Sequence, residues 1–471
     1  MAVADTVGRL WEADILPALA DYIAIPNLSP AYAPDWAAQG HMADAVELVR
    51  AWCAARPIEG LTVDVHELAG RTPVVVVDVP ASGPPAGPAS DTVLLYGHLD
   101  KQPPMTGWLE GLGPWTPVRR EERLYGRGGA DDGYAAFASL AAIEAVRAEG
   151  GSHARCVLVI EASEESGSPD LPAHVEALAG RLGSPSLVVC LDSGCASFDR
   201  LWATTSLRGL AGVTVTVRVL EEGVHSGAAG GVVPSSFRLL RQLLDRVEDA
   251  ATGQLLLPEL HVDIPPDRVA ELTATAAELG GPGAAFPLVP GLVATHADDA
   301  AAGLLARTWR PALAYIGADG LPPTGQAGNV LRPSTTLGLS FRLPPTANPD
   351  VATDAIERVL TVDPPQGAEV TVELDQSAAG WAAPSFAPWL SRALDEASQA
   401  AWGRPSATIG EGGSIPFMAM LGERFPDAQF VVTGVLGPGT NAHGPNEYLH
   451  VPYATALTGA VAHLLAAHSA R

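Results

Sequence analysis

The stretch TVLLYGHLD (92–100) decides the fold. Its first six residues form an apolar run with no alternation, as in a strand buried on both faces. The run then ends in His98 and Asp100, two groups that bind protons or metals. Three more runs of the same kind occur later: CVLVIE (156–161), LVVCLD (187–192) and FVVTG (430–434). Between the first two lies AAFASLAAIEAVRAEG (135–150), a helix closed by Gly-Gly. This strand–helix–strand rhythm predicts a doubly wound α/β sheet.

The middle of the chain has another texture. LAGVTVTVRVL (210–220) alternates apolar and polar residues, as a half-exposed antiparallel strand does. A helix follows over 235–250, then a strand over 335–343, a helix over 352–360 and a strand over 369–375. A long irregular insert is expected near 252–330. The pattern predicts a small α+β domain inserted at about 206–380 into an α/β domain made of 1–205 and 381–471. A chain of 471 residues suits two domains. GPPAGPAS (83–90) reads as a Pro-rich surface loop.

Composition excludes several partners. The formal net charge of -25 repels nucleic acid phosphates and anionic membranes. The N-terminal segment carries acids early and reads as an amphipathic helix, not a signal peptide. No apolar run reaches membrane-spanning length. Cys53, Cys156, Cys190 and Cys195 fit no disulfide or zinc-knuckle spacing. They read as free thiols of a cytoplasmic protein. Lys101 is the only lysine, and the sequence offers no reason for it.

In an open α/β sheet, ligands bind beyond the carboxyl ends of the strands. His98 and Asp100 come after the first run, Glu164 and Glu165 after the second, Asp192 ends the third, and His443 lies in the loop after the fourth. GRGGADDGY, just before the 135–150 helix, adds Asp131 and Asp132. Each alone has a bland reading: a hydrogen-bonded loop imidazole, a solvated Glu pair, an Asp helix cap. Together, crowded carboxylates repel unless a cation neutralises them. Two His with three Asp or Glu suit a pair of zinc-like ions that share one carboxylate. Adjacent side chains point apart, so one of Glu164 and Glu165 can be a ligand while the other acts as general base.

With these motifs in view, the chain resembles the M20 metallopeptidases. The matching segments are GHLD (97–100), GRGGADD (126–132), EASEESGS (161–168), LDSG (191–194), HSGAAGG (225–231), FRLPP (341–345), EGGSIP (411–416) and NAHGPNE (441–447). EGGSIP and the Arg342 region look closest to the carnosinase and cytosolic nonspecific dipeptidase branch. The resemblance implies a zinc-exopeptidase catalytic domain of the phosphorylase/hydrolase-like type, with an inserted ferredoxin-like dimerisation or lid domain. It implies two divalent ions per subunit, Zn2+ first, with Mn2+ or Co2+ as alternatives. His98, Asp131 and Asp192 would hold one ion; Asp131, Glu165 and His443 would hold the other. Asp100 would orient His98, and Glu164 would be the general base acting on a water that bridges the ions. His225 would reach the partner subunit's active site in a homodimer and stabilise the oxyanion. Arg342, Gly413, Ser414 and Asn329 would hold the substrate's carboxylate.

The implied activity is hydrolysis of dipeptides or short peptides with a free carboxylate, as a dipeptidase or carboxypeptidase. The alternatives are an N-acyl amino acid amidohydrolase and, in another class, a metal-free binding homologue. One departure stands out. The family continues its bridging Asp as Asp-Asp/Asn-Lys-Gly, whereas this chain has Asp132-Gly133-Tyr134.

Overall fold

The structure is a computed structural model that describes residues 2–83 and 91–471. The loop expected at 83–90 lies almost wholly outside the described residues. The chain divides into two compact units. The first is Met1–Thr205, Ala383–Ile409 and Met420–Arg471; the second is Ser206–Ala382 and Gly410–Ala419. Gly410–Ala419, placed with the C-terminal catalytic segment on sequence grounds, therefore clusters with the inserted unit.

The first unit is built on a large mixed sheet. Its strands run in the order Thr62–His66, Val74–Val79, Arg155–Glu161, Thr92–His98, Pro185–Cys190, Gln429–Val432 and Trp202–Leu207. Thr92–His98 is parallel to both neighbours, and Gln429–Val432 is parallel to Pro185–Cys190. The outer pairings, starting with Val74–Val79 on Arg155–Glu161, are antiparallel. Every residue of Thr92–His98 is buried, and helix Tyr134–Ala148 packs against the strand. Each fully buried Val or Leu here contributes roughly 1.5–3 kcal/mol. The covering helix Tyr134–Ala148 is itself almost wholly buried. Its many alanines suit close packing against the long C-terminal helix Val451–Ser469.

The N-terminal segment is helical from Ala2 to Ile23, with a π-helical turn at Trp11–Ile15. It is amphipathic as expected: Val7, Trp11, Ile15 and Leu19 are buried and Asp5, Arg9, Glu12 and Asp21 exposed, and the Trp11 indole N–H donates to Thr458 Oγ1 at 2.9 Å. Lys101 meets the end of this segment. Its ammonium is buried and donates to the carbonyls of Tyr22 and Ile25, both at 2.7 Å. It also sits 3.9 Å from the centre of the Tyr22 ring, in cation–π contact. The lone lysine thus adds a donor to carbonyls at the terminus of the helix that ends at Ile23.

The second unit is a four-stranded antiparallel sheet in the order Ala312–Asp319, Ser334–Leu343, Gly209–Arg218, Glu369–Ala378. Helices Ser236–Leu244 and Pro349–Thr361 cover one face, on which Val213, Val215, Val217, Leu339 and Phe341 are buried. In chain order this is strand–helix–strand–strand–helix–strand, the ferredoxin-like arrangement. The insert near 252–330 is not irregular as the sequence suggests. It contains helices Pro266–Leu279 and Ala300–Thr308 and the strand Ala312–Asp319. Among the described residues that strand pairs only with Ser334–Leu343, and six of its eight residues are exposed, so no burial pattern marks it. The helix expected over 235–250 stops at Leu244. Beyond it Arg246 donates to the carbonyls of Val359 and Val362, and Glu248–Asp249 starts a short hairpin.

Candidate metal centre

The first unit gathers its acids and imidazoles at the carboxyl ends of its strands. His98 is the last residue of its strand, and its side chain is wholly buried. Its Nε2 lies 3.3 Å from Asp131 Oδ1 and 3.8 Å from Asp192 Oδ1. The other Asp131 oxygen, Oδ2, lies 3.0 Å from Nε2 of His443. That same His443 nitrogen is 3.3 Å from Glu165 Oε2. Asp131 therefore turns one oxygen to each histidine, with Asp192 beside one and Glu165 beside the other.

Two groups of ligand atoms lie close enough to hold an ion: His98 with Asp131 and Glu165, and His98 with Asp132 and Asp192. No cysteine belongs to either. The charge balance points the same way. Burial raises the carboxyls of Asp192 and Glu164, and takes Glu165 up to about 8 with help from the Asp131 charge. Burial would depress both imidazoles, but the facing carboxylates outweigh it: His98 is raised well above its usual value, and His443 goes to about 9. Burial would likewise raise Asp131, but hydrogen bonds from His443 and His98 hold it below the usual carboxylate range. Without a cation, this cluster must gather protons to balance its charge. Asp132 Oδ1 is buried with no hydrogen-bond partner. A donor set of imidazole and carboxylate with such an orphan fits divalent metal ions.

The supporting contacts differ in part from expectation. Nδ1 of His98 is nearest the main-chain carbonyl of Asp100, at 3.1 Å, with the Asp100 carboxylate at 3.5 Å. That carboxylate chiefly accepts the backbone N–H groups of Glu164 and Glu165, each at 3.0 Å. Asp100 thus fixes the Glu164–Ser166 turn as well as the imidazole. Gln102 Nε2 donates to Glu165 Oε2 at 2.6 Å.

Sequence reasoning named Asp132 without giving it a role and passed over the Arg127–Glu447 pair. Asp132 Oδ2 accepts the backbone N–H of His98 at 3.3 Å. Arg127 and Glu447 form a buried ion pair, and Arg127 also donates to the carbonyls of His443 and Gly444 at 3.0 and 2.9 Å. The motifs GRGGADD and NAHGPNE contain both partners, which could have flagged the pair. Gly133 and Tyr134, where this chain departs from the family pattern, are both buried. A Cβ at Gly133 would collide with Tyr22 Cε1, and the Tyr134 hydroxyl donates to the carbonyl of Leu191.

The remaining candidates lie in the second unit. His225 is exposed on the two-residue strand Val224–His225, and its Nδ1 accepts the N–H of Gly227 at 3.1 Å. Asn329 is its neighbour across the short pairing with Val330–Leu331: its carbonyl accepts the N–H of Ser226 at 2.9 Å. Arg342 Nη1 donates to Ser414 Oγ at 3.2 Å, beside Gly413.

A family model described as Peptidase family M20/M25/M40 matches residues 94–467. The chain belongs to this family. It is an M20 metallopeptidase with a mixed α/β fold. Among its relatives is the cysteinylglycine-S-conjugate dipeptidase of Corynebacterium striatum, 28% identical over 428 residues, which are 88% of this chain and 90% of that protein. Human beta-Ala-His dipeptidase is 32% identical over 183 residues, 38% of this chain and 36% of that protein. Solved structures share the fold. Dug1p of Saccharomyces cerevisiae superposes with a TM-score of 0.77 at 22% identity, covering 100% of this chain and 98% of that one. Human carnosine dipeptidase 1 does so with a TM-score of 0.74 at 21% identity, covering 99% of each chain. Among the described residues, no helix is long and apolar enough to cross a membrane.

Proposed function

We propose that this M20 enzyme is a di-metal dipeptidase that hydrolyses the peptide bond of dipeptides or short peptides with a free carboxylate. The observation that carries the reading is Asp131, with one carboxylate oxygen toward His98 and the other toward His443. His98, Asp131 and Asp192 would hold one divalent ion, and Asp131, Glu165 and His443 the second, Zn2+ being the first choice. When bound, such ions acidify water and polarise the scissile carbonyl. The relatives named for dipeptide cleavage support this substrate class.

The chain's own residues do the rest. Glu164 takes the proton from the attacking water and delivers it to the leaving nitrogen. Its partly buried carboxyl is raised well above its usual value by burial and by Asp192, which favours holding that proton between the two steps. Asp100 keeps Glu164 in place through the backbone N–H it accepts. Arg342, Ser414 and the Gly413 backbone receive the substrate's carboxylate, with Asn329 nearby in role. The second unit serves as a dimerisation and lid domain, and His225 of a second copy stabilises the oxyanion. The exposure of His225 supports a partner outside its own chain. Its setting is cytoplasmic in this reading.

Metal analysis of purified protein tests the proposal. About two divalent ions per chain, with dipeptide hydrolysis lost on chelation and restored by Zn2+, Mn2+ or Co2+, is the expected result. Protein that neither retains nor takes up divalent metal would overturn it.

A further inference from the structure

Arg208 is a second arginine at the site of Arg342, and the dipeptidase mechanism makes no use of it. Arg342 lies on the strand Ser334–Leu343, and Arg208 directly precedes the strand Gly209–Arg218 that pairs with it. Arg342 pairs in register with Leu210, so Arg208, two residues before Leu210, is its diagonal neighbour. Ser414 links them: its hydroxyl accepts from Arg342 Nη1 at 3.2 Å and donates to the Arg208 carbonyl at 2.5 Å. The loop Gly412–Ser414 folds around the guanidinium. Arg208 Nε donates to the Gly412 carbonyl at 3.0 Å, and Arg208 N donates to the Gly413 carbonyl at 3.0 Å. A Cβ at Gly412 would come within 3.2 Å of Arg208 Nη2, whereas one at Gly413 would meet nothing within 4 Å. Space therefore lies open beside Gly413.

The charges in this pocket do not balance. Arg307 pairs with Glu411 at 3.2 Å. Arg208 is only 9% exposed, and no carboxylate among the described residues pairs with it or with Arg342. Its remaining protein contact is a long one to the Arg310 carbonyl, 3.5 Å. Burial and the neighbouring Arg342 and Arg307 charges push the Arg208 guanidinium down to about 10, still protonated at neutral pH. Two partly desolvated cations side by side are costly unless an anion joins them. Guanidinium groups recognise carboxylates in a two-point fashion.

One terminal carboxylate neutralises one of the two arginines. From the second we infer that the enzyme prefers a doubly anionic carboxyl-terminal residue, aspartate or glutamate, with Arg208 holding the side-chain carboxylate and Arg342 the terminal one. This rests on the reading that the Arg342 pocket receives the substrate's carboxyl end.

The test compares Ala-Asp with Ala-Asn, which match in shape and differ by one charge, with Ala-Ala as reference. The expected kcat/KM ratio of Ala-Asp to Ala-Asn is about ten- to a hundredfold, the scale of one hydrogen-bonded charge contact. In Arg208→Gln that ratio falls to near one. Should Arg208→Gln fail to fold, Arg208→Lys, which keeps the charge but loses the planar fork, is expected to lower the ratio severalfold. Calorimetric titration of the metal-loaded wild type with L-aspartate and L-asparagine gives a readout without turnover, and aspartate is expected to bind at least tenfold tighter. Equal treatment of Ala-Asp and Ala-Asn by an enzyme that cleaves Ala-Ala overturns this inference alone. If no dipeptide is cleaved, the dipeptidase reading fails, and the calorimetry still decides whether the pocket prefers two carboxylates.

Discussion

Arg127 is the side chain whose loss should reveal most about how the metal centre is held. It is 1% exposed and its partner Glu447 is fully buried, with 2.5 Å between Nη1 and Oε2. Glu447 also accepts the N–H of Gly128 at 2.9 Å, at the head of the Asp131 turn. The same guanidinium grips the carbonyls of His443 and Gly444. One side chain therefore ties the Asp131 turn to the His443 loop. Arg127→Met strands a buried carboxylate, which costs about 3–5 kcal/mol. For a unit of this size that is a fall in melting temperature of about 5–8 °C. Loss of such outer contacts typically weakens metal affinity about 10- to 100-fold. The cost should depend on pH. Burial already takes Glu447 up to about 7 against the pull of Arg127. Removing Arg127 raises it further. An acid whose folded-state value exceeds its unfolded value destabilises the fold increasingly as pH rises. The variant's deficit is therefore larger at about pH 8 than at about pH 5. Calorimetric melting at both pH values, with zinc affinity from chelator competition, measures each effect. Arg127→Met/Glu447→Gln removes the stranded charge and should recover most of the melting temperature. Metal affinity should stay low, because the carbonyls of His443 and Gly444 remain ungripped. A single variant that melts within about 2 °C of wild type and binds zinc normally would refute the reasoning.

Two further outcomes are expected. Glu164→Gln should retain its metal by elemental analysis yet lose about a hundred- to ten-thousandfold in kcat, the usual worth of a positioned general base; near-normal turnover would remove Glu164 from that role. Gly133→Ala drives a Cβ into Tyr22 Cε1 and sets it 2.6 Å from the Gly128 carbonyl, so melting should register an overpacking loss of roughly 1–3 kcal/mol; an unchanged melting curve would show that Tyr22 yields.

The strands that carry the centre were legible because parallel strands buried on both faces read as unbroken apolar runs. TVLLYG and CVLVIE lie wholly in the sheet, and LVVCLD and FVVTG lie in it up to Cys190 and Val432. The gathering of His98, Asp131, Glu165, Asp192 and His443 was legible for a related reason: parallel strands all end at one edge, so the loops that leave them converge there. The features that escaped notice depend on pairings that no local pattern encodes. Ala312–Asp319 is an edge strand with exposed side chains, so alternation could not reveal it. Arg127 and Glu447 are 320 positions apart. Arg208 acquires meaning only from the register that sets it diagonal to Arg342.

The departure at Gly133-Tyr134 and the lone Lys101 looked like separate oddities, but a single ring connects them. Tyr22 is fully buried, and its hydroxyl donates to the Leu99 carbonyl at 2.6 Å. One edge of the ring fills the space that any side chain at residue 133 would need. Its face carries the Lys101 ammonium. The stem of Lys101 runs beneath Gly128: a Cβ there would meet Lys101 Cε at 2.6 Å, and Gly128 holds a φ of +80°. Gly133 N donates to the Gly128 carbonyl at 2.9 Å, closing the turn that presents Asp131 and Asp132. A lysine side chain after Asp132 cannot coexist with Tyr22 in this position. With glycine there, the turn is supported from below by the ring and by the lysine that leaves the strand three residues after His98. The missing lysine thus leaves the turn braced by a different set of side chains, and the ligand atoms that the turn presents stay within reach of both histidines.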